Sequence, residues 1–133
     1  MPGRDIVWPA EPHALYKAHG YSPAVRAGNL LFVSGQVGAR ADGTPPANLG
    51  EEVALAFDNL AAILDAAGAS FDDVVDVTMF AVDPDAVLPI ALPEFAARFG
   101  DGPRPAVTVP GTTWLAGFRF EIKVVAHLPT GAA

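Results

Sequence analysis

Two segments of the sequence are apolar at nearly every position, a pattern typical of β-strands that are buried on both faces. Residues 30–34 read Leu-Leu-Phe-Val-Ser, and residues 74–82 read Val-Val-Asp-Val-Thr-Met-Phe-Ala-Val. The chain has only two further segments with a helical pattern, and two helices can cover only one face of a sheet. The other face therefore stays apolar and uncovered within one chain, and we expect neighbouring subunits to bury it.

The stronger helical pattern covers residues 51–67, where apolar side chains recur at spacings of three and four residues. They form one stripe along the predicted helix: Val53, Ala56, Phe57, Leu60, Leu64 and Ala67. Glu51 and Glu52 suit the first turn, because acidic groups interact favourably with the positive end of the helix dipole. Gly68 suits the position that ends the helix.

The second helical pattern covers residues 85–99 and is weaker. Asp85 is the candidate N-cap, and Gly100 ends the segment. A proline inside a helix lacks the N–H donor and clashes with the preceding turn. Because Pro89 and Pro93 both fall inside this segment, we expect the helix to restart near Pro93, where proline suits a first helical position.

The remaining β-structure is a hairpin and two C-terminal strands. The hairpin covers residues 21–35, turns at a Gly-Asn pair, and ends or bulges at Gly35. The two later strands are predicted over residues 105–109 and 118–127. The element order is thus ββαβαββ, which predicts an α+β fold with two helices packed on one face of a sheet.

The N-terminal segment has no clear period. Residues 1–20 contain three prolines and are predicted to form an irregular arm. The chain has 133 residues, which fits one domain spanning residues 1–133.

The last predicted strand alternates strictly between apolar and charged side chains. Since a strand has a side-chain period of two, it has one apolar face and one charged face. The apolar face comprises Phe118, Phe120, Ile122 and Val124, and the charged face comprises Arg119, Glu121 and Lys123. A solvated charged face is the simpler interpretation. If the uncovered side of the sheet contacts other subunits, this charged row lies in or beside the contact, where a charge must be paired or used.

Arg104 stands between Pro103 and Pro105. Proline fixes its own φ angle, and it keeps the residue before it out of the helical region, so the backbone of Arg104 is stiff and extended. A guanidinium on a stiff backbone suits a carboxylate clamp, because it offers a planar pair of donors. The alternative is a surface arginine in a turn.

Composition excludes several classes of function. The chain has no cysteine, so disulfides, thiolate catalysis and cysteine-bound metals are excluded. The net charge is −7 and the basic residues are scattered, which disfavours nucleic acid as a partner. No apolar run reaches the length of a membrane span, so we expect a cytoplasmic protein with no membrane partner.

Other candidate sites have weaker patterns. The three histidines, His13, His19 and His127, show no metal-ligand spacing. Ser34 precedes a glycine but lacks the Gly-x-Ser-x-Gly frame of a nucleophilic serine, and no glycine-rich phosphate loop is present. We therefore expect neither a metal nor a cofactor.

Six segments match one known family in order and spacing, although each is weak alone. They are residues 29–36, 56–60, 66–68, 76–80, and 103–109 with 120–122. Together they resemble the RidA (YjgF) family of reactive enamine/imine deaminases. The resemblance implies a chorismate-mutase-like ββαβαββ subunit in a homotrimer, with active sites in the clefts between subunits. It implies hydrolysis of 2-enamine and 2-imine intermediates to 2-keto acids and ammonia, without a cofactor.

The resemblance also implies roles for individual residues. Arg104 matches the arginine that binds the substrate carboxylate, and Glu121 matches the glutamate proposed to position the attacking water. Tyr21 and the pair Ser34-Gly35 match residues that bind substrate beside the first two strands.

Two departures from the family pattern bear on the site. Ala91 stands where a polar residue, often asparagine, occurs in the second helix. Residues 110–117 differ from the shorter, charged segment of the archetype and resemble divergent branches, so Trp114 is expected to reshape the cleft and contact substrate.

Three other functions stay open at this point. The first is a regulatory trimer that binds a small carboxylate without converting it. The second is hydrolysis of another C–N bond on the same scaffold. The third is an endoribonuclease or translation-inhibitor activity, as attributed to relatives, which the acidic charge of the chain disfavours.

Overall fold

The computed structural model describes residues 3–129, which form one mixed sheet of six strands and three helices. The elements are β1 Asp5–Val7, α1 Leu15–His19, β2 Ala24–Ala27, β3 Leu30–Val37, α2 Leu49–Ala66, β4 Val74–Ala81, α3 Pro84–Phe99, β5 Ala106–Thr108 and β6 Phe120–His127. The strand order is β1-β2-β3-β6-β4-β5, and only β4 and β5 pair in parallel. The predicted element order is confirmed from β2 onwards. β5 is one residue shorter than predicted at each end, and β6 begins two residues later than predicted and ends at the predicted residue.

The prediction of an irregular arm over residues 1–20 is wrong for the described part, which begins at Gly3. β1 extends the sheet by pairing with β2, and α1 packs beside it. Both elements are too short to produce a recognisable period, and burial stabilises them. Val7 and Tyr16 are their buried side chains.

Helix α2 confirms the stronger helical prediction and begins two residues earlier. Asn48 caps it, since its side chain accepts a hydrogen bond from the Glu51 N–H at 2.9 Å. Gly68 follows the last turn in the left-handed conformation, with φ +74°.

Helix α3 runs without a break, so the predicted restart near Pro93 is wrong. Asp85 is not its cap; the N-cap position is Asp83, whose side chain makes no capping hydrogen bond. Pro89 and Pro93 are four residues apart and both exposed, so the carbonyls that lose a helical partner lie on the solvent side. The opposite side is held by four buried residues: Val87, Ala91, Phe95 and Phe99.

The face of the sheet that α2 and α3 cover is a dry core. Leu31, Val77 and Ile122 contribute fully buried side chains from three neighbouring strands. Phe57 of α2 stacks on Phe120 of β6, with ring centroids 5.7 Å apart. The prediction that two helices pack on one face is confirmed.

The other face carries a row of apolar side chains with no helix over it. Ile6, Val25, Phe32 and Val125 lie side by side on β1, β2, β3 and β6, because each is the cross-strand partner of the next. Ile6 is 40% exposed and Phe32 is 42% exposed. We call these four residues the uncovered row. It confirms that one chain leaves this face bare.

Candidate active site

A β-bulge in β3 sets the geometry of the site. Val33 pairs with Val124 and Gln36 pairs with Ile122, so Ser34 and Gly35 together oppose the single residue Lys123. The extra residue reverses the alternation of the strand. Gly35 and Val37 consequently face the uncovered side of the sheet, and the Gln36 side chain is buried.

Gly35 packs directly against the Glu121 side chain. A Cβ atom on Gly35 would lie 2.5 Å from Cδ and 2.6 Å from Oε2 of Glu121. Any larger residue at position 35 would therefore displace the carboxylate. This close approach explains why glycine follows Ser34 in the motif that the sequence singled out.

A cleft of about 550 Å³ opens beside this carboxylate, at one end of the uncovered face. It brings together four of the predicted site residues: Tyr21, Gly35, Trp114 and Glu121. The rest of its lining comprises Leu15, His19, Val37, Gly43, Thr44, Pro45, Leu115, Ala116 and Phe118. Most of these residues belong to loops or to α1, which carry no period from which sequence reasoning can place them.

Tyr21 and Glu121, which both line the cleft, have pKa values shifted in the same direction. Burial raises the pKa of Glu121, and the nearby Lys123 opposes that shift. Burial also raises the pKa of Tyr21, and the negative charge of Glu121 adds to the increase. The arrangement therefore places a protonated phenol near a carboxylate that holds its proton more readily than usual.

Ser34 does not line the cleft. Its hydroxyl donates a hydrogen bond to the Ser22 carbonyl at 2.6 Å, and its N–H donates to the Pro23 carbonyl at 2.9 Å. These bonds tie the bulge to the segment that carries Tyr21. The structure thus assigns Ser34 a positioning contact, while a contact with substrate stays a prediction.

A buried aromatic network packs behind the bulge, and no sequence pattern indicated it. The Tyr16 hydroxyl donates to Gln36 Oε1 at 2.8 Å, and Gln36 Nε2 donates to the Ser34 carbonyl at 2.9 Å. The Tyr16 ring also contacts the Tyr21 ring edge-on at 5.2 Å between centroids and stacks on His13 at 4.1 Å. Burial raises the pKa of Tyr16 and lowers that of His13, so both stay neutral near pH 7.

An ion pair between Glu52 and Arg119 joins the two loops that line the cleft, the loop before α2 and the loop before β6. Glu52 is fully buried and accepts hydrogen bonds from the Arg119 backbone N–H at 2.7 Å and from Arg119 Nε at 2.8 Å. The same guanidinium donates to the carbonyl of Ala47 at 3.1 Å. Sequence analysis considered Glu52 only as a first-turn acid. Its position four residues before Ala56 of the apolar stripe was the signal that it faces inwards.

A tight turn over residues 115–118 forms the outer wall. Ala116 has φ +54° and Gly117 has φ +94°, and the Phe118 N–H donates to the Leu115 carbonyl at 3.1 Å, which describes a type I′ turn. Phe118 therefore precedes β6 and is buried under the cleft, although it was predicted to belong to that strand. Trp114 stands at the mouth and is 73% exposed.

Arg104 does not line the cleft of its own chain. Its guanidinium lies 5.6 Å from the centroid of the Phe95 ring, at the edge of the sheet. Arg104 lies two residues before Ala106 of β5. Ala106 and Val125 of β6 both pair with Asp76 of β4, so they stand at the same height across the sheet. Counted along and across the strands, its backbone is roughly 20 Å from that of Glu121, further than the two side chains and a small acid can span.

Two further predictions concern residues outside the cleft. Ala91, on the inner side of α3, is fully buried in the core and does not line the cleft. Among residues 3–129, no three His, Cys, Asp or Glu side chains lie close enough together to hold a metal ion. Over the same residues, no helix has the length and apolar character needed to cross a membrane.

The chain is similar to known proteins in both sequence and structure. A family model described as Endoribonuclease L-PSP matches residues 11–128. The RutC family protein YjgH of Escherichia coli K12 is 52% identical over 129 residues, which is 97% of this chain and 98% of that protein. A solved structure of protein YJGH superposes with a TM-score of 0.91 over 95% of this chain and 97% of that chain, again at 52% identity.

Two more distant similarities carry more specific names. The crystal structure of RidA from Psychrobacter sp. PAMC 21119 has a TM-score of 0.83 at 26% identity, covering 94% of this chain and 100% of that chain. The 2-iminobutanoate/2-iminopropanoate deaminase of Dermatophagoides farinae is 36% identical over 81 residues, which is 59% of this chain and 61% of that protein.

Proposed function

The chain belongs to the RidA (YjgF) family, whose model bears the description Endoribonuclease L-PSP, and from this premise we propose that it hydrolyses reactive 2-imino acids to 2-keto acids and ammonia. The observation that carries the proposal is the contact between Gly35 and Glu121 inside an apolar cleft. It holds a carboxylate with a raised pKa against a site large enough for a small organic acid.

The reaction needs no redox partner. The oxygen of a water molecule adds to the electrophilic carbon of the protonated imine, and the C=N π electrons move to nitrogen. One proton leaves the added water and one reaches the nitrogen. The C–N bond then breaks, ammonia leaves, the remaining hydroxyl proton is released to solvent, and the carbon–oxygen double bond of the 2-keto acid forms.

Glu121 is proposed to accept the proton of the attacking water and return it to the leaving nitrogen. A general base works best when its pKa lies near the working pH, so the raised pKa of Glu121 favours this role. Tyr21 stays protonated and can donate a hydrogen bond to the developing alkoxide. The apolar walls limit the access of other water molecules.

The carboxylate of the substrate is proposed to bind Arg104 of a neighbouring subunit. Because Arg104 and Glu121 of one chain are roughly 20 Å apart, they can act on one molecule only if they come from different chains. The uncovered row offers an apolar surface for that assembly, which we propose to be a homotrimer. This arrangement makes the active site intersubunit.

The direct test measures ammonia released from freshly generated 2-imino acids. Glu121→Gln should lower kcat about 10²–10⁴-fold by removing the base. Arg104→Ala should raise KM and lower kcat/KM, because it removes the anchor of the carboxylate. Glu11→Gln and Arg4→Ala change exposed groups of the same charge and serve as controls that should retain activity.

A mixing experiment tests the intersubunit site separately. Arg104→Ala and Glu121→Gln subunits are refolded together so that mixed trimers form, and activity is measured at a low substrate concentration at which each variant alone turns over little. Random mixing should restore about a quarter of the sites, since one subunit then supplies the intact arginine and its neighbour the intact glutamate. Activity that stays absent in verified mixed trimers would contradict this model.

A second candidate function follows from the description of the matching family model, Endoribonuclease L-PSP. The net charge of −7 counts against RNA as a substrate. Salt-sensitive RNA cleavage that is lost in Glu121→Gln, together with no release of ammonia, would favour it over deamination. Thermal stabilisation by 2-keto acids without any turnover would instead indicate a regulatory binding protein.

A further inference from the structure

The cleft has two chemically different ends. Tyr21, Gly35 and Glu121 form the polar end, where the proposed reaction takes place. The other end is a separate apolar cluster in which Val37 and Phe118 are each only 7% exposed, with Leu15 and Leu115 packed against them. These four side chains, which we call the apolar end, face the same cavity as the carboxylate.

The two ends lie side by side. Val37 is the direct cross-strand partner of Glu121, so their side chains stand next to each other on one face, at the spacing of about 5 Å that neighbouring strands impose. A substrate whose imine carbon lies at Glu121 therefore extends its own side chain over Val37. From there it reaches the space between Leu15 and Leu115.

The size and character of that space argue against a small substrate side chain. The whole cleft measures about 550 Å³, and among the described lining residues Glu121 is the only carboxylate and no lysine or arginine is present. A methyl or ethyl group would leave most of the apolar end in contact with water. A branched aliphatic chain or an aromatic ring would exclude that water and bury the facing side chains.

We infer, on the basis of the proposed function, that the cleft selects 2-imino acids with a bulky apolar side chain over those with one or two carbon atoms. Leu115 and Val37 contact that side chain and set the preference. Trp114, at the mouth, covers the end of the bound side chain. The chemical class is thus the imine of a leucine-like or phenylalanine-like amino acid.

The test uses imines generated in situ from L-leucine, L-phenylalanine and L-alanine by an L-amino-acid oxidase with catalase present. The expected kcat/KM is at least tenfold higher for the leucine or phenylalanine imine than for the alanine imine. Leu115→Asp should lower this ratio at least tenfold, because it removes an apolar contact that only the longer substrate side chains reach. Leu92→Asp, at an exposed leucine of α3 outside the cleft, is the matched control and should leave the ratio unchanged.

Binding of stable 2-keto acids separates this inference from the proposed reaction. Phenylpyruvate and 4-methyl-2-oxopentanoate should raise the melting temperature more than pyruvate at equal concentration, and Leu115→Asp should abolish the difference. If no imine is hydrolysed but this binding preference holds, deamination is wrong and the selectivity stands. An equal or stronger effect of pyruvate, or an alanine imine that reacts as fast as the others, would overturn the inference.

Discussion

The two faces of the sheet are built from the same strands and differ in what covers them. On the helix-covered face, Phe57 and Phe120 stack in a core that excludes solvent. On the other face, Phe32 and Ile6 stay about two-fifths exposed within one chain. The first face stabilises the subunit. The second face leaves apolar side chains exposed to solvent within one chain.

This difference separates stability from function along single strands. In β6, Ile122 points into the core and its neighbour Glu121 points into the cleft, so adjacent residues carry unrelated roles. Burying a carboxylate costs free energy, and Glu121 lies on the face that contributes least to the core. The comparison predicts that substitutions on the two faces affect different measured quantities.

The largest effect should come from the core. Phe57→Ala should lower the free energy of unfolding by about 3–5 kcal/mol, because it leaves a cavity next to Phe120. Phe32→Ala is the matched substitution on the other face; it should cost a single subunit less than about 1 kcal/mol and weaken the association of subunits instead. Urea unfolding and sedimentation of dilute protein measure the two quantities. Equal losses of unfolding free energy, with the same assembly in both variants, would erase the distinction.

Breaking the buried ion pair should have the next largest effect. Arg119→Ala should lower the free energy of unfolding by about 2–3 kcal/mol, because the fully buried Glu52 side chain loses its guanidinium partner. It should also lower kcat/KM, since this pair joins the two loop walls of the cleft. Lys123→Ala removes a cation four residues later, at an exposed position of β6, and should leave the free energy of unfolding nearly unchanged. An Arg119→Ala protein with unchanged unfolding free energy and unchanged kcat/KM would show that the loops of the cleft keep their positions without the ion pair.

Strain at the outer wall should produce a smaller change of opposite sign. Ala116 adopts a left-handed backbone conformation that favours glycine. Ala116→Gly should therefore raise the free energy of unfolding by about 1 kcal/mol. Ala96→Gly, at an exposed position inside α3, should lower it by a similar amount, because glycine destabilises a helix interior. Denaturant titration of both variants checks the sign.

The smallest effect concerns pH. The pKa of Glu121 is raised in the folded state, so the folded protein binds the proton more tightly than the unfolded chain. Stability should be highest below the ordinary glutamate pKa and should fall as pH rises through the raised value. Glu121→Gln removes this loss and should be more stable than the wild type at pH 7, by at most about 1 kcal/mol because the group is partly solvated. A variant that is less stable at pH 7 and unchanged at pH 4 would contradict this assignment.

Sequence reasoning succeeded where one local pattern decided the outcome. The period of α2, the hairpin and the alternation that points Glu121 away from the core were all predicted from neighbouring residues. It failed where distant residues decide. The direction of Val37 depends on pairing with a strand more than eighty residues later, and the burial of Glu52 depends on Arg119. The unbroken α3 depends on which side of the helix its prolines face.

The bulge in β3 makes residue count, rather than residue type, the critical property of that stretch. Inserting one residue between Gly35 and Gln36 would shift the pairing of every later residue by one position and exchange the directions of Gln36 and Val37. An amide would then enter the cleft beside Glu121, and a valine would turn to the opposite side. Substitutions here change one contact each, whereas a single-codon insertion after the bulge would reverse which side chains of this end of the strand face the cleft.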